Sequence, residues 1–550
     1  MDYLSGLPKT ILHDILARLP YKDAAKTIAL SKAWRDTWSS FPNLYVHYRD
    51  FVSRYDLPLK NSHRFSEMDI LIDYVTKKSL RLRDQGLAIK EFKLNLFFLL
   101  DPPHGLSHHV DQWIQIASES GVKVLELYLS NGSFGREYSE GIWYDLPLCV
   151  IEAKSLTKLV LAGGIRVDQE FLNHSMKFSS VKMLSLNHVL FSHEGVIDHL
   201  ISHCPRVEHL TVVYCSVYNH LSIEDPQVDR ICPVKSLFLN GLQKLKKVDV
   251  QGIEEVHIDS PNLEKLCYSH FKLGGAFKLN FDTCRKLRCL CIIDVNSTTI
   301  ADKWFRELFS KYPLLESLEL CNCSMSEKIS IFSSQLKVLK LHHCSNLNEV
   351  NIDAPNLLSF DYRDYKNPVI SFLRGSNQLE VSVFTNLHFR GSYTLRKFIE
   401  NIPQKILASL SLFIYESLPN YRYLPALLVS STPPSIKHLD FRAPSVPYTE
   451  AFYGPVISFL LSCCFPKTIS FRCGGCYAFI EFFYEMLMGS KKGECYCSSL
   501  NSKCWWHALK IVNISYSCSF MIDENADFKA VLDASQKSGG MESITFSLEL

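Results

Sequence analysis

A leucine-rich phrase that recurs through the 550-residue chain constrains its fold more than any other feature. The phrase is LxxLxL, sometimes with another aliphatic residue first, and its copies begin about 21–29 residues apart. Its last positions alternate as a strand with one buried face does. This period predicts a solenoid, in which each repeat packs on the next. Copies occur at Leu156/Leu159/Leu161, Val181/Leu184/Leu186, Val207/Leu210/Val212, Val234/Leu237/Leu239, Leu263/Leu266, Leu287/Leu290/Ile292, Leu315/Leu318/Leu320 and Leu336/Leu339/Leu341.

Several copies are preceded by an amphipathic helix that ends at or just before a proline. GVIDHLISHCP leads into RVEHLTV, and KWFRELFSKYP leads into LLESLEL. Proline cannot continue a helix and keeps the preceding residue extended, so helix, proline and strand form one turn. The pattern predicts an α/β fold with parallel strands on the concave side and helices and loops on the convex side.

Some copies are shorter than the rest. Residues 245–250, 253–258 and 347–352 lie only about ten residues from their neighbours, which is less than an average helix with its connections needs. We expect these turns to return by a loop. After about residue 395 the period becomes irregular, with insertions expected at 421–425 and 473–504.

The N-terminal segment 3–48 has a different pattern. Leu7 and Pro8 open a helix, and an apolar stripe at helical spacing runs along it to Leu19, before Pro20. A second short helix follows, and Ser31 can cap a third. Three helices of this size cannot bury all of their apolar side chains against one another. The surplus apolar surface predicts a partner.

This segment resembles the F-box over its whole length, through LPxxIL, ILxRLPxKDAAKT and LSKAWRDTW. The resemblance implies docking on a Skp-type adaptor, which joins the chain to a cullin and a RING protein in an SCF ubiquitin ligase. An N-terminal helical cap on the following domain is the alternative. The adaptor-facing residues implied by position are Leu7, Pro8, Ile11, Leu12, Ile15, Leu16, Leu19, Pro20, Ala24, Leu30, Ser31 and Trp34.

Two nearly identical phrases, IDSPNLEKLCY at 258–268 and IDAPNLLSFDY at 352–362, indicate a duplicated pair of turns. They resemble the repeats of plant F-box/leucine-rich-repeat proteins. The expected architecture is a three-helix F-box followed by an irregular leucine-rich-repeat solenoid, with no flexible linker at 42–66. The predicted boundaries are 3–48 for the F-box, 49–121 for an ordered connection and first turns, 122–394 for leucine-rich repeats and 395–550 for irregular repeats and a cap.

Composition limits the kinds of partner and the compartment. A net charge of +2 with 21% charged residues argues against nucleic acid or a membrane surface as a partner. No apolar stretch reaches the roughly 20 residues that a spanning helix needs, and no secretory signal is recognisable. We therefore expect a protein of the nucleus and/or cytoplasm. Its 19 cysteines are expected to stay reduced and to pack as small apolar side chains.

One cluster has the residue types of a metal site: Cys473, Cys476, Cys495, Cys497, Cys504 and His507. Zinc sites usually combine two close pairs, and Cys495-x-Cys497 is one residue tighter than a usual pair. We predict no metal and no cofactor, and a zinc-dependent module remains the alternative. No glycine-rich phosphate loop, GxSxG or HExxH pattern is present, so we expect a non-catalytic chain.

The exposed strand positions of the repeats are the candidate target-binding residues. Their mixed charges suit a protein target better than nucleic acid. The resulting hypothesis is a substrate-recognition subunit of an SCF-type ligase. The alternatives are a hormone-like small-molecule co-receptor, which a basic pocket on the concave side would favour, and a non-degradative F-box adaptor. The candidates are Lys158, Lys182, His209, Lys235, Phe238, Glu316, Glu319, Lys337 and Lys340.

Overall fold

The structure is a computed structural model. It describes residues 6–48, 64–97, 105–130, 143–174, 178–219, 230–270, 278–296, 299–364, 368–374, 376, 378–385, 407–414, 435–442, 453–454, 457, 461, 464–472, 477–491, 509–518, 527–538 and 541–549. They fall into two compact units, an N-terminal unit (Met1–Leu287) and a C-terminal unit (Arg288–Leu550). The part of the predicted 42–66 connection at 49–63 lies outside the described residues, as does the expected insertion at 421–425. Of the expected insertion at 473–504, residues 477–491 are described and form a helix, and the rest lies outside the described residues.

The described helices are mostly short. In chain order they are α1 (Lys9–Arg18), α2 (Tyr21–Lys26), α3 (Lys32–Ser39), α4 (Arg64–Asp84), α5 (Leu106–Glu119), α6 (Glu194–Ser202), α7 (Asp302–Lys311), α8 (Tyr477–Lys491) and α9 (Phe528–Ser538). Short 3₁₀ helices span Thr27–Ala29, Leu148–Glu152 and Gln169–Asn173. Among the described residues, no helix combines the length and the apolar character needed to cross a bilayer.

The N-terminal unit is built on a long parallel sheet, its main sheet, in which β1, β2, β3, β5, β7, β9, β13 and β15 pair in that order. Two smaller sheets order as β11-β10-β8-β6-β4 and β12-β14-β16. The strands are β1 (Asn43–His47), β2 (Glu91–Phe97), β3 (Val124–Ser130), β4 (Tyr144–Asp145), β5 (Lys158–Gly163), β6 (Ile165–Val167), β7 (Met183–Asn187), β8 (Leu190–Phe191), β9 (His209–Val213), β10 (Ser216–Asn219), β11 (Arg230–Pro233), β12 (Ser236–Leu239), β13 (Lys247–Gln251), β14 (Glu255–Ile258), β15 (Lys265–Ser269) and β16 (Lys278–Asn280).

The C-terminal unit repeats this plan and then changes it. Strands β17, β18, β20, β22, β24, β25, β26 and β27 contribute parallel pairs to its main sheet, β19, β21 and β23 form a second sheet, and β29 pairs antiparallel with both β27 and β28. The strands are β17 (Cys289–Ile293), β18 (Ser317–Cys321), β19 (Lys328–Phe332), β20 (Val338–His342), β21 (Glu349–Asp353), β22 (Ser359–Arg363), β23 (Val369–Arg374), β24 (Leu379–Thr385), β25 (Leu407–Ile414), β26 (Ser435–Arg442), β27 (Phe465–Arg472), β28 (Ile511–Cys518) and β29 (Met541–Glu549).

The predicted α/β solenoid is confirmed, including the helix–proline–strand turns at α6 and α7, which precede β9 and β18. The prediction for the short copies is wrong. They return by a second strand, because the chain alternates between the main sheet and the smaller sheet every ten residues or so. Ser317, Val338 and Ser359 stand in register in the main sheet, and Lys328 and Glu349 in the second one, which gives a 21-residue turn with two strands.

A left-handed residue ends several main-sheet strands. Its positive φ turns the chain out of the sheet, and glycine occupies the same place after β13, at Gly252 (φ 81°). The other residues at this place are His188, Tyr214, Asp294, Asn322 and His343. The next residue points inward, and where it is cysteine its thiol donates to a carbonyl of the preceding main-sheet strand. These donors are Cys215 to Leu186 (3.6 Å), Cys323 to Ile292 (3.6 Å) and Cys344 to Leu320 (3.5 Å).

Candidate functional site

The three N-terminal helices pack around a small core of their own. Its buried residues are Leu12, Leu16, Ala24, Ala25, Trp34, Trp38 and Phe41. Ser31 caps α3 as the sequence predicts, since its side chain accepts a hydrogen bond from the backbone N–H of Trp34 at 3.3 Å. His13 on α1 lies 3.2 Å from the carbonyl oxygen of Thr37 on α3, which ties the first helix to the third.

The core leaves apolar side chains on the surface. Ile11 is 44% exposed, Leu19 38% and Leu30 66%. The predicted adaptor-facing set is therefore divided: Pro8, Ile11, Leu19, Pro20 and Leu30 are exposed, Leu7, Ile15 and Ser31 are half-buried, and Leu12, Leu16, Ala24 and Trp34 are buried. The four buried side chains hold the helices together and are not available to a partner on the surface. The adaptor-contact role of the remaining residues stays a prediction.

The helical segment continues into the solenoid without a break. Strand β1, which follows α3 directly, pairs in parallel with β2 from Asn43–Glu91 to His47–Asn95. The ring of Tyr21 on α2 lies 5.1 Å from that of Tyr45 on β1, and the Tyr45 hydroxyl donates to Glu91. Burial, and then the hydrogen bond to Glu91, raise the pKa of Tyr45. The helices are thus attached to the first strands of the main sheet through packed side chains.

A buried lysine lies at this attachment. Lys78 is on the inward face of α4, in line with Leu71, Val75 and Leu82, and is 8% exposed. Its ammonium lies 4.2 Å from the ring centroid of Trp38, and no hydrogen-bond acceptor among the described residues reaches it. Burial, and secondarily the charge of Arg81, lower the pKa of Lys78 to about 7. A core position of the solenoid therefore carries an ionisable group that contacts the helical segment.

The outward face of the N-terminal unit's main sheet begins with a charged cluster. Glu126 on β3 is 7% exposed and lies 2.7 Å from Lys158 on β5 and 3.7 Å from Lys93 on β2. Lys93 also lies 3.2 Å from Glu91, and its ammonium is 4.6 Å from the Tyr45 ring centroid. The alternation of signs across neighbouring strands fixes these side chains in one network.

The main sheet of the C-terminal unit also carries paired charges. Glu316, just before β18, lies 3.0 Å from Arg288 and 3.1 Å from Lys337. Lys340 on β20 lies 3.1 Å from Glu319 on β18. These contacts bring together Glu316, Glu319, Lys337 and Lys340, four of the predicted target-binding candidates.

Asp361 on β22 is the most enclosed carboxylate of this second network. It lies 3.2 Å from His342 and 2.8 Å from Arg363. Burial tends to raise the pKa of Asp361, but the close contact with His342 and the hydrogen bonds from Arg363 outweigh it and lower the pKa below its usual value. His342 is the last residue of β20, and its side chain is only 12% exposed.

Two predicted candidates lie elsewhere. Ser236–Leu239 forms β12 of a smaller sheet, so Lys235 and Phe238 are not on the main sheet with the other candidates. Phe238 is 44% exposed and stacks on His257, with ring centroids 5.0 Å apart. The sequence misplaces them for a physical reason. The phrase VKSLFL has the same pattern of apolar and polar residues as a strand of either sheet, and only the switch between the two sheets about every ten residues tells them apart.

Sequence reasoning missed several members of these networks. Tyr45, Lys93 and Glu126 lie in strands β1 to β3, before the repeats become regular in the sequence. The pattern of VKVLELYL places Glu126 on the outward face of the strand. That Lys93 and Lys158 on the neighbouring strands bury Glu126 could be inferred only from the register in which β2, β3 and β5 pair. Among the described residues, no group of three His, Cys, Asp or Glu side chains is placed to hold a metal ion. The cluster from Cys473 to His507 lies outside the described residues.

Comparisons with known families match both regions of the chain. The F-box domain model matches residues 4–45. A model described as FBD-associated F-box protein At5g56370, LRR repeats, matches residues 110–281, and one described as At1g61320/AtMIF1, LRR domain, matches residues 276–463. The helical segment thus matches the F-box model, and the strand repeats match two leucine-rich-repeat models.

Relatives from Arabidopsis thaliana combine the same parts. The chain is 29% identical to the F-box/FBD/LRR-repeat protein At1g13570 over 68% of its length and 84% of the relative. It is 25% identical to the F-box/LRR-repeat protein At2g42720, over 49% of its length and 58% of the relative, and 27% identical to the F-box/LRR-repeat protein At3g59190, over 51% and 66%. With an F-box domain joined to leucine-rich repeats, the chain has the architecture of these plant F-box/LRR-repeat proteins.

Proposed function

We propose that this chain is the substrate-recognition subunit of an SCF-type ubiquitin ligase. Its F-box binds a Skp-type adaptor, and its leucine-rich-repeat surface binds a target protein. The observation that carries the proposal is the apolar surface of the helices: Ile11, Leu19 and Leu30 stay exposed after the F-box core is complete. Burying a fully exposed side chain of this kind contributes about 1.5–3 kcal/mol, and a partner that covers all three gains the share that corresponds to their exposed fractions.

The attachment of the F-box to the solenoid suits this role. Since β1 is part of the main sheet and Lys78 packs on Trp38, an adaptor bound to the F-box holds the repeat surface of the N-terminal unit in a defined orientation. The cullin and RING protein that the adaptor recruits then hold the charged conjugating enzyme near the target. Catalysis by such a chain is positioning, which raises the effective concentration of two reactants, and requires no catalytic side chain of its own.

The test is co-expression with a Skp-type adaptor, followed by size-exclusion chromatography with mass determination. We expect a one-to-one complex. The double variant Ile11→Asp/Leu30→Asp should lose the adaptor because it places charges on the exposed apolar surface. Leu358→Asp is the matched control, since Leu358 is 43% exposed in the C-terminal unit and lies far along the chain from the F-box.

The choice of positions separates adaptor binding from folding. Leu16 is 1% exposed, so a charge there would disrupt the F-box core and could not report on the contact itself. A double variant that still forms the complex, or a wild-type chain that ignores the adaptor, would contradict the proposed function. We further propose that the complex acts in the nucleus and/or cytoplasm, which fractionation of a tagged full-length chain would test.

A further inference from the structure

A row of basic side chains runs along one edge of the N-terminal unit's main sheet, at the ends where its strands begin. Seven lysines form this row, which we call the basic edge; they lie at the start of, or just before, six of the seven neighbouring strands from β2 to β15, the exception being β9. They are Lys90, Lys123, Lys158, Lys182, Lys246, Lys247 and Lys265.

Backbone hydrogen bonds fix the order of the row. The carbonyl of Lys90 accepts from the N–H of Lys123, and the carbonyl of Lys123 accepts from that of Lys158. Further along, the carbonyl of Lys182 accepts from the N–H of Glu208, and that of Lys246 from the N–H of Lys265. Neighbouring strands lie about 4.8 Å apart, so the six steps from β2 to β15 span about 29 Å.

Much of this positive charge is unneutralised. Glu208 lies 2.8 Å from Lys246 and 3.9 Å from Lys182. Lys158 is held by Glu126. The other four lysines are exposed, and within the described part of the chain no carboxylate forms an ion pair with Lys90, Lys123, Lys247 or Lys265.

The corresponding row of the C-terminal unit differs. There Glu316 pairs with both Arg288 and Lys337, and Leu358 takes the equivalent place at the start of the following main-sheet strand. The two units therefore share a fold but not this charge distribution, and unpaired lysines at the strand starts are not a general requirement of the repeat. The repulsion among like charges in the row is relieved when an anionic ligand binds.

We propose that the basic edge binds an acidic, extended segment of the target protein. This inference rests on the proposed function and names the chemistry of the target. A segment of about nine residues, at about 3.3 Å each, spans the row. A peptide can place a neutral residue opposite Glu208 or Glu264, which interrupt the edge, whereas a nucleic acid strand presents a phosphate at every step and would be repelled there.

The test measures binding of fluorescein-labelled peptides by fluorescence anisotropy. The protein is the full chain co-purified with a Skp-type adaptor, and the probe is a peptide of six Glu-Ser repeats. We expect binding that weakens as salt is raised, and no binding of a peptide of six Lys-Ser repeats. The variant Lys90→Gln/Lys123→Gln/Lys247→Gln/Lys265→Gln should weaken the acidic peptide at least tenfold.

A matched control removes the same number of charges elsewhere. Lys77, Lys303, Lys328 and Lys529 are 62–82% exposed at their side chains, and their change to Gln should leave peptide affinity within about twofold. Circular dichroism and adaptor co-purification verify that both variants fold.

The outcomes separate the two proposals. Equal loss of affinity in both variants, or tighter binding of a twelve-nucleotide oligothymidylate than of the acidic peptide, would overturn the basic edge as a peptide site. Absence of peptide binding in an intact adaptor complex would also overturn it and would leave the proposed function standing. If the chain does not bind the adaptor but binds the acidic peptide, and the lysine substitutions weaken that binding, the result would support the basic edge and contradict the ligase role.

Discussion

Lys78→Met should stabilise the protein, and the gain should depend on pH. Lys78 lies on the inward face of α4, where the other positions are occupied by Leu71, Val75 and Leu82, and it is 8% exposed. Methionine keeps most of the length of the side chain and removes the charge, so packing against Trp38 is retained while the buried ammonium is lost.

The magnitude follows from the pKa of Lys78. Burial, with Arg81, lowers it from 10.5 to about 7, and each unit corresponds to about 1.4 kcal/mol, so the charged form costs about 5 kcal/mol. The contact of the ammonium with the Trp38 ring recovers about 2 kcal/mol. We therefore expect Lys78→Met to raise the free energy of unfolding by about 3 kcal/mol at pH 6.

The pH dependence has a defined sign. Because the pKa of Lys78 is lower in the folded than in the unfolded chain, the unfolded chain binds more protons between pH 7 and 10.5. The cost is fully present below pH 7 and disappears as the pH rises towards 10.5. The wild type should therefore gain stability relative to Lys78→Met as the pH rises from about 7 towards 10.5, by up to about 3 kcal/mol.

The assay is chemical unfolding of the full chain, followed by tryptophan fluorescence at several pH values. Lys77→Met is the matched control, since the Lys77 side chain is 75% exposed and pairs with Asp73 on the outer face of the same helix. A lower unfolding midpoint of Lys78→Met at pH 6, or a stability that changes with pH in parallel with that of the wild type, would contradict the cost assigned to the buried ammonium.

Three other contacts give further predictions. Glu126→Gln should lower the free energy of unfolding by about 1–3 kcal/mol, because it removes the buried charge that Lys158 pairs with; an unchanged chemical unfolding curve would contradict this. Gly252→Ala should lower the free energy of unfolding by at least about 1 kcal/mol, since φ is 81° there and the added Cβ would lie 2.8 Å from the Tyr214 ring. In a Tyr214→Ala background, thermal melts should show that Gly252→Ala loses less stability, because the clash with the ring is gone while the backbone strain remains. Burial raises the pKa of Cys323 to about 12, so this thiol should react with a thiol reagent only after unfolding, which comparison with Cys323→Ala would reveal.

The F-box could be predicted from the sequence because its signals are local. Pro8 before α1, Ser31 at the start of α3 and helical apolar spacing each act within one or two turns of helix, and the structure has these elements where the pattern puts them. Which apolar residues face inward was not determined by spacing alone. Ile11 and Leu12 are neighbours in one stripe, yet one is exposed and the other buried, because the packing of α2 and α3 decides which side is covered.

The solenoid was predictable as an architecture but not as a set of sheets. The leucine phrase indicates that a strand has one buried face, but it does not indicate which sheet the strand joins. The sequence therefore could not distinguish β12 and β14 from β13 and β15. Lys78 was missed for a different reason. A single lysine in the helical segment VTKKSL has no local signal of burial, and its environment depends on Trp38, which lies forty residues earlier in the chain.

The entry of β1 into the main sheet bears on how such proteins can be recombined. A strand edge without its neighbour is a template for pairing with other chains, and β1 covers this edge of β2. A fragment that begins after residue 48 would expose it and should self-associate. A chimera that exchanges one F-box for another should therefore retain the recipient's Asn43–His47 strand. The two sequences are then best joined just before β1, and not at residue 45, where the match to the F-box model ends.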